Sequence, residues 1–222
     1  MNISHLFELA NDSGGTLYLM LLLLLVALTV IIERSRHLSN MQEGGVKLIA
    51  MLKHADGQIA SLAVPDELAQ LPHASLFSVL QHEPAGTDRA SLDGHLEEAI
   101  MHEVPSLDRS LWMLDTVITL APLLGLFGTI VGMFNAFHAL GDAQTGALQV
   151  TGGIAEALIA TASGLLIAMI GLVFFNALHT RVRIILHQLE TLKVMLLNRQ
   201  GRTGVPSSRQ TPVELIRAQA RA

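Results

Sequence analysis

Three long stretches of the chain are apolar and almost free of charged side chains. They run from Ser13 to Ile32, from Thr116 to Gly141 and from Ile154 to Leu178. A membrane helix needs about 20 mostly apolar residues, so each stretch is long enough to cross a bilayer. β-Branched and aromatic residues are sparse in the rest of the chain. The pattern therefore predicts an all-α, three-span membrane protein whose long helices extend into a cytoplasmic helical region.

The segments before the second stretch and after the third show the three-to-four-residue spacing of amphipathic helices. The apolar positions with this spacing are Leu48, Met51, Leu52, Leu76, Val79, Leu80, Leu92, Leu96, Ile100, Val104, Val182, Ile185, Leu186, Leu189, Leu192, Leu196 and Leu197. We expect the helix that starts at Thr87 or Asp88 to continue into the second span. We expect Gly201 to end the helix that follows the third span.

The chain therefore divides into eight predicted segments. These are an external N-terminal lead (1–15), transmembrane helix 1 (16–32), a cytoplasmic helical region (33–115), transmembrane helix 2 (116–139), a short periplasmic turn (140–153), transmembrane helix 3 (154–179), a cytoplasmic helix extension (180–200) and a flexible C-terminal tail (201–222).

The distribution of basic residues predicts the orientation. All 14 Lys and Arg lie between Arg34 and Arg109 or between Arg181 and Arg221. Basic residues are retained on the cytoplasmic side of a membrane. We therefore expect a periplasmic N-terminus and a cytoplasmic C-terminus. The first span lacks a basic leader and a small-residue cleavage site, so it is interpreted as an uncleaved helix.

Composition supports a membrane protein and excludes several kinds of site. Hydrophobic residues make up 50% of the chain and charged residues 15%, whereas a soluble domain carries about 25% charged residues. Because there is no cysteine, disulfides, iron–sulfur clusters and thiolate sites are excluded. His95, Glu98 and His102 could share a helix face, but zinc-motif spacing is absent, so solvent-facing side chains are favoured. No metal, cofactor or nucleic-acid partner is predicted.

Glu156 is the one charged side chain between Asp142 and Arg181. A carboxylate in a membrane helix is costly, by roughly 2.5–3.5 kcal/mol at the bilayer centre, and usually faces a bundle interior or a water-filled path. This favours ion movement over simple anchoring. Glu156 lies near the external end of the third span, so a carboxylate that merely reaches interfacial water is an alternative. A membrane enzyme with Glu156 as acid or base lacks a second convergent polar group, and a passive structural bundle is a further alternative.

Small residues and hydroxyls in the second and third spans complete the candidate site. Small residues at four-residue spacing let membrane helices approach closely, and Gly125, Gly128, Gly132, Ala160 and Gly164 are the predicted packing positions. Thr129 and Thr161 either bond back to their own helices or serve a polar path. At 100° per residue, Glu156 and Thr161 lie about 140° apart, so one straight stripe cannot hold both.

Two stretches resemble the ExbB/TolQ/MotA proton-channel family. They are APLLGLFGTIVGMFNAF (Ala121 to Phe137) and GIAEALIATASGL (Gly153 to Leu165), and Asn176 follows on the same helix. The three-span plan is similar to ExbB and TolQ. Members commonly have Ala-Pro before the second stretch, where this chain has Thr151-Gly152, and often a proline in the third span, where this chain has Ala168 to Gly171.

The resemblance implies a proton pathway or pore that includes Thr129, Glu156 and Thr161. It also implies a homo-oligomer, usually a pentamer, in the bacterial inner membrane. The copies would surround the single helices of an ExbD-like (or TolR-like) partner with a membrane aspartate and would drive a TonB-like (or TolA-like) protein. The expected function is that of a channel-forming motor subunit and not of an enzyme. ExbB-like and TolQ-like roles both remain open on the sequence.

Overall fold

The structure is a computed structural model that describes residues 15–54, 65, 68–84, 87–139 and 146–203. The side chains of residues 139, 146–149 and 200–203 are not described. Most of the predicted external lead (1–15) and of the predicted tail (201–222) lies outside the described residues.

The described residues form five helices and no strand. The helices are α1 (Thr16–His54), α2 (Pro72–His82), α3 (Arg89–Asp108), α4 (Leu111–Ala139) and α5 (Gly146–Thr203). The predicted all-α fold is confirmed. Three helical stretches, Thr16–His54, Arg89–His138 and Val150–Arg199, are long and apolar enough to cross a membrane.

The expected continuous helix into the second span is interrupted at Arg109 and Ser110. Ser110 has a φ of 66°, which lies in the left-handed region that ends a regular helix. Its carbonyl accepts a hydrogen bond from the Met113 amide at 3.2 Å, so α4 starts directly after it. Apolar spacing does not reveal such a break, because a two-residue turn leaves the surrounding pattern intact.

Both ends of α5 differ from the expected boundaries. The helix begins at Gly146, inside the predicted turn 140–153, and Gly152 and Gly153 are helical. It ends at Thr203, so Gly201 does not stop it. A helical glycine costs only about 1 kcal/mol relative to alanine, which the rest of a 58-residue helix can offset.

The chain divides into two compact units. In numbers, the first comprises the described residues among 1–40 and 105–184, and the second those among 41–104 and 185–222. We call the first the hairpin unit, after α4 and the part of α5 that ends at Ile184, and the second the leucine unit.

The leucine unit has a core of buried aliphatic side chains. The buried positions predicted from helical spacing are Leu48, Leu52, Leu76, Leu92, Leu96, Ile100, Ile185, Leu189, Leu192, Leu196 and Leu197. Met51 was expected with them but is 43% exposed. At the edge of this core, Lys193 Nζ contacts Asp93 Oδ1 at 2.9 Å and Glu97 Oε2 at 2.6 Å.

A buried histidine lies in the same unit. His73 in α2 is fully buried, and burial lowers the pKa of its imidazole to about 4, because the charged form loses its hydration. A Cβ on Gly45 would collide with His73 and Gln188. Gln188 Nε2 donates to the Gln42 carbonyl at 3.2 Å. The missing side chain of Gly45 therefore makes room for two polar groups between α1, α2 and α5.

Candidate functional site

The candidate site lies along the contact between α4 and α5 in the hairpin unit. Gly132 faces Ala157, Gly125 faces Thr161, and Gly171 faces Ile118. Residue numbers rise along one helix as they fall along the other, so the two helices are antiparallel. The contact is lined by small residues on both sides, which we call the seam. Its members are Ala121, Gly125, Gly128, Gly132, Ala136, Gly153, Ala157, Ala160, Gly164 and Gly171.

The two backbones approach closely because side chains are missing at the seam. A Cβ on Gly125 would lie 3.0 Å from Thr161 Cα, and one on Gly132 would lie 2.9 Å from Ala157 Cβ. A Cβ on Gly164 would collide with the carbonyl oxygen of Ala121. All five residues expected to pack the spans therefore lie in this seam, including Gly128 and Ala160, where a Cβ on Gly128 would lie 2.8 Å from Ala160 Cβ.

The two candidate threonines make different hydrogen bonds. Thr161 Oγ1 donates across the seam to the Gly125 carbonyl at 3.0 Å. Thr129 Oγ1 donates within its own helix to the Leu126 carbonyl at 2.6 Å. Local back-bonding, one of the two interpretations of these hydroxyls, therefore holds for Thr129 and not for Thr161. Since both hydroxyl protons are engaged, each oxygen can only accept further hydrogen bonds.

The three polar residues are stepped along the axis of the α4–α5 pair. Thr161 lies opposite Gly125, and Ala157, next to Glu156, lies opposite Gly132. Thr129 lies between these two levels on α4. At 1.5 Å per residue, Glu156 and Thr161 are about 7.5 Å apart along α5, and the level of Thr129 lies within that distance. Glu156 and Thr161 are both half-buried.

Around the helix axes, the threonines share one flank of the seam and Glu156 lies on the other. At 100° per residue, Glu156 and Thr161 are each about 70° from the seam centre on α5, in opposite directions. Thr129 is about 60° from the seam centre on α4. Thr129 and Thr161 are displaced from the seam centre in the same rotational sense, each viewed along its own helix axis. Because the two helices are antiparallel and face each other, this places both threonines on the same side of the pair. We call this side the threonine flank.

Helix α1 docks on the Glu156 side of the pair. A Cβ on Gly128 would lie 3.3 Å from Thr16 Oγ1, and Thr16 is 2% exposed. Gly128 and Ala160 both lie on the Glu156 side of the seam centre. Helix α1 therefore leaves the threonine flank uncovered within the hairpin unit.

This arrangement suits the neutral form of an acid. The threonine flank presents two oxygens that accept hydrogen bonds, so a facing carboxyl group can bond to them only while it holds its proton. An ionised carboxylate would meet two acceptors with no donor, in a region of low dielectric constant. The flank can therefore stabilise a protonated acid and favour proton uptake by it.

Much of the apolar surface of the spans is not covered by the chain itself. In each of the three membrane-length windows, 28% of the residues are buried. Exposed side chains on α4 and α5 include Leu123, Ile130, Phe134, Leu158, Leu166 and Val173. Such a surface needs lipid or other helices against it.

Two arginines with engaged side chains were not singled out from the sequence. Arg34 is 2% exposed, and its Nη2 donates to the carbonyls of Ser106 at 2.9 Å and Leu107 at 3.0 Å. Burial lowers the pKa of Arg34, but an arginine stays protonated at neutral pH. Arg181 Nη1 donates to the Ser35 carbonyl at 2.8 Å. In the sequence both residues served only as signs of orientation, because nothing near them identifies distant backbone acceptors.

Within the described parts of the chain, no three His, Asp or Glu residues come together as metal ligands. His95 Nδ1 lies 3.1 Å from Glu83 Oε1, and His102 Nε2 lies 4.0 Å from Glu98 Oε1. Both pairs belong to the leucine unit.

Comparison with known proteins explains this geometry. The profile of the MotA/TolQ/ExbB proton channel family matches residues 68–191, more than half of the chain, and includes the whole seam. The chain belongs to this family. An ExbB-like protein of Synechocystis is 35% identical over 158 residues, which cover 68% of this chain and 74% of the relative.

Other relatives of this proton channel family member carry ExbB and TolQ names. A biopolymer transport protein ExbB of Neisseria meningitidis is 27% identical over 218 residues, which cover 90% of this chain and 99% of the relative. The Tol-Pal system protein TolQ of Haemophilus influenzae is 46% identical over 88 residues, which cover 39% of each protein. The family and the three apolar helices together identify a multi-pass membrane protein.

Proposed function

We propose that this chain is the channel-forming subunit of a proton-motive-force-driven motor in the bacterial inner membrane, similar to ExbB, which energises TonB-dependent transport across the outer membrane. The observation that carries the proposal is the threonine flank. Thr129 and Thr161 offer hydrogen-bond acceptors on a side of the α4–α5 pair that α1 does not cover. The match to an ExbB over 90% of this chain supports the same role.

In this proposal several copies, five by analogy with the family, surround an ExbD-like one-span partner. The threonine flank faces the partner's membrane aspartate and stabilises it while it carries a proton. Release of that proton removes the favourable contact and lets the partner move. A TonB-like protein transmits the motion. Each charge that crosses 100 mV supplies about 2.3 kcal/mol, so the contacts broken at each step must be weak.

The lack of large charged groups along the seam fits this requirement. Between Asp142 and Arg181, Glu156 is the one charged residue. We propose that Glu156, on the opposite flank and near the external end, passes protons to or from the path. The N-terminus is then periplasmic and the C-terminus cytoplasmic, as the basic residues predict.

Thr161 offers the sharpest test of the threonine flank. The variants are produced, together with the partner, in a strain that lacks its own ExbB, and uptake of an iron–siderophore complex is measured. Thr161→Val removes the hydroxyl at nearly constant volume and is expected to abolish uptake, whereas Thr161→Ser keeps the hydroxyl and retains it. Thr119→Val is the control, since Thr119 lies about 140° from the seam centre on α4 and its Oγ1 bonds to carbonyls of its own helix at 2.9 and 3.2 Å. Normal uptake with assembled Thr161→Val complexes would contradict the proposal.

Glu156 is tested in the same strain. Glu156→Gln is expected to abolish uptake because the amide cannot exchange a proton, and Glu156→Asp is expected to retain part of it. Co-purification of the partner shows that the complex still forms. If Glu156→Gln supports full uptake, Glu156 is an interfacial residue without a part in proton transfer.

A TolQ-like role in envelope integrity is the second candidate. It is favoured by the TolQ of Pseudomonas aeruginosa, which is 39% identical over 109 residues, and by the TolQ of Haemophilus influenzae. The chain and its partner can be produced in a strain that lacks TolQ and tested for an effect on growth in detergent. Rescue there, without rescue of siderophore uptake, would assign the TolQ-like role.

A further inference from the structure

Helix α1 carries few features that could fix its axial position against the α4–α5 pair. Its membrane part contains five consecutive leucines, Leu21 to Leu25. Shifting such a helix by one turn replaces leucine with leucine. In lipid, apolar burial gives no driving force for one register over another. Polar contacts at the ends of the span must therefore choose it.

Two arginines supply such contacts at one end. Arg34, in α1, reaches the carbonyls of Ser106 and Leu107 in the last turn of α3. These carbonyls have no amide partners within α3, since the helix ends at Asp108. A cation at a helix C-terminus is also favoured by the helix dipole. Arg34 thus holds α1 at the turn from which α4 begins.

The second contact runs in the opposite direction, from α5 to α1. Arg181 Nη1 donates to the Ser35 carbonyl at 2.8 Å, to Ser35 Oγ at 3.2 Å and to Ser39 Oγ at 3.3 Å. Residues 34–39 of α1 are therefore bound both to the last turn of α3, just before α4 begins, and to the far end of the membrane part of α5. All these residues belong to the hairpin unit.

At the other end of the span, Thr16 packs against Gly128. Thr16 and Arg34 are 18 positions apart, which is about 27 Å along a helix. A shift of α1 by one turn, about 5.4 Å, would remove Thr16 from the one place where the missing side chain of Gly128 makes room for it. The position of Thr16 beside the seam therefore depends on the arginine contacts at the opposite end.

We propose that Arg34 and Arg181 are positioning residues that together set the axial register of α1 against the channel helices α4 and α5. The registration itself is independent of the proposed function, and only its consequence for proton-driven transport rests on that function. Arg36 and Arg183 are exposed, two positions further along the same helices, and are the matched controls.

Cysteine cross-linking measures the register directly, because the chain has no cysteine of its own. A Cβ on Gly128 would lie 3.8 Å from Thr16 Cβ, which is the mean separation in disulfides. Ala160→Gly removes the methyl group that would otherwise lie 2.8 Å from the new Cβ. The reporter is therefore Thr16→Cys/Gly128→Cys/Ala160→Gly, oxidised in membranes that also contain the partner.

In this reporter the disulfide is expected to form readily. Adding Arg34→Gln or Arg181→Gln should slow its formation about tenfold, the factor that corresponds to loss of one charge-assisted hydrogen bond. Arg34→Lys should restore most of the rate, because an ammonium group can still donate to carbonyls. Substitution of a residue needed only for stability would lower the amount of protein in the membrane along with the cross-linking rate. The amount of each variant in the membrane is therefore measured in parallel.

Arg36→Gln and Arg183→Gln should leave the rate unchanged. Equal rates in the Arg34→Gln, Arg181→Gln and control variants would overturn the proposal. If the Arg34→Gln protein does not accumulate in the membrane, the cross-linking rate of Arg181→Gln alone tests the proposal. Loss of siderophore uptake in the arginine variants with an unchanged cross-linking rate would also overturn the positioning role, while leaving the proposed function intact.

Discussion

In the hairpin unit the helices meet where side chains are smallest, whereas in the leucine unit they meet through fully buried leucines. Gly164 approaches the Ala121 carbonyl with no side chain between the backbones. Leu192 is 0% exposed within a layer of similar side chains. The first arrangement needs no water to drive it and suits lipid. The second gains its stability from removing apolar surface from water.

The two units should therefore respond in opposite ways to a change in side-chain size. Removing methyl groups should damage the leucine unit, and adding one should damage the seam. Polar groups differ as well. The flanks of the seam carry the hydroxyls of Thr129 and Thr161 and the carboxyl group of Glu156, whereas the leucine unit contains ion pairs and a buried histidine.

The largest effect is expected from Leu192→Ala in the leucine unit. Truncation of a fully buried leucine costs about 2–5 kcal/mol of the free energy of unfolding. Hydrogen exchange of residues 185–199 measures the loss. The control is Val194→Ala, two positions away and 54% exposed, which should change stability by less than about 0.5 kcal/mol. Equal protection in the two variants would show that this core does not stabilise the unit.

The buried histidine should make the leucine unit sensitive to acid. The pKa of His73 is lowered to about 4 in the folded protein, so the unfolded chain takes up a proton first as the pH falls. Stability is full above about pH 6.5 and decreases towards pH 4, by up to about 3 kcal/mol. Hydrogen exchange of α2 between pH 7 and pH 4 measures this decrease.

His73→Leu should remove most of the pH dependence of α2, whereas His82→Leu should keep it, because His82 is exposed on the same helix. A pH profile that is identical in His73→Leu and in the unmodified protein would contradict a buried, neutral imidazole.

In the seam, Gly164→Ala should destabilise the α4–α5 pair by about 1–3 kcal/mol, because the added Cβ collides with the Ala121 carbonyl. Gly152→Ala is the control, since a Cβ there meets nothing within 4 Å, and it should stabilise the helix slightly. The thermal unfolding midpoint of the detergent-solubilised complex distinguishes the two. If both variants unfold at the same temperature, the helices are not in backbone contact.

The smallest effect is expected from Lys193→Met at the edge of the leucine unit. Burial alone would lower the pKa of Lys193, but its hydrogen bonds to Glu97 and Asp93 outweigh burial and raise it. Both acids are about half exposed, so the pairs contribute about 0.2–1 kcal/mol. Chemical unfolding at low and high salt should show a difference that shrinks as salt rises. If Lys193→Met lowered the free energy of unfolding more than Leu192→Ala does, the ion pairs and not the buried leucines would stabilise the leucine unit.

The spacing of similar residues along the chain predicted the contacts in which side chains of one kind pack against each other. Leu92, Leu96, Leu189 and Leu192 are buried as expected, because helical spacing alone places them on one face. The small residues at four-residue spacing likewise indicated the seam. In both cases the packing face can be covered by any helix with a similar face. The sequence of one helix is therefore enough to predict which of its residues are in contact.

Contacts between chemically unlike and distant residues could not be predicted in this way. Arg34 bonds to carbonyls 72 and 73 positions away, and every residue offers a carbonyl. The burial of His73 depends on a glycine in another helix. The turn at Ser110 depends on its backbone angle and is not marked by glycine or proline. The opposite flanks of Thr161 and Glu156 were anticipated by their angular separation, but the side on which α1 lies required the structure.

The central claim is that the threonine flank of the α4–α5 pair supports proton transfer by stabilising the protonated acid of the partner. It is tested most directly by proton flux into vesicles that contain the chain together with its one-span partner, followed with an enclosed pH-sensitive dye under an imposed membrane potential. The account predicts flux with the unmodified chain and with Thr161→Ser, and its loss with Thr161→Val. Undiminished flux through correctly assembled Thr161→Val complexes would contradict it.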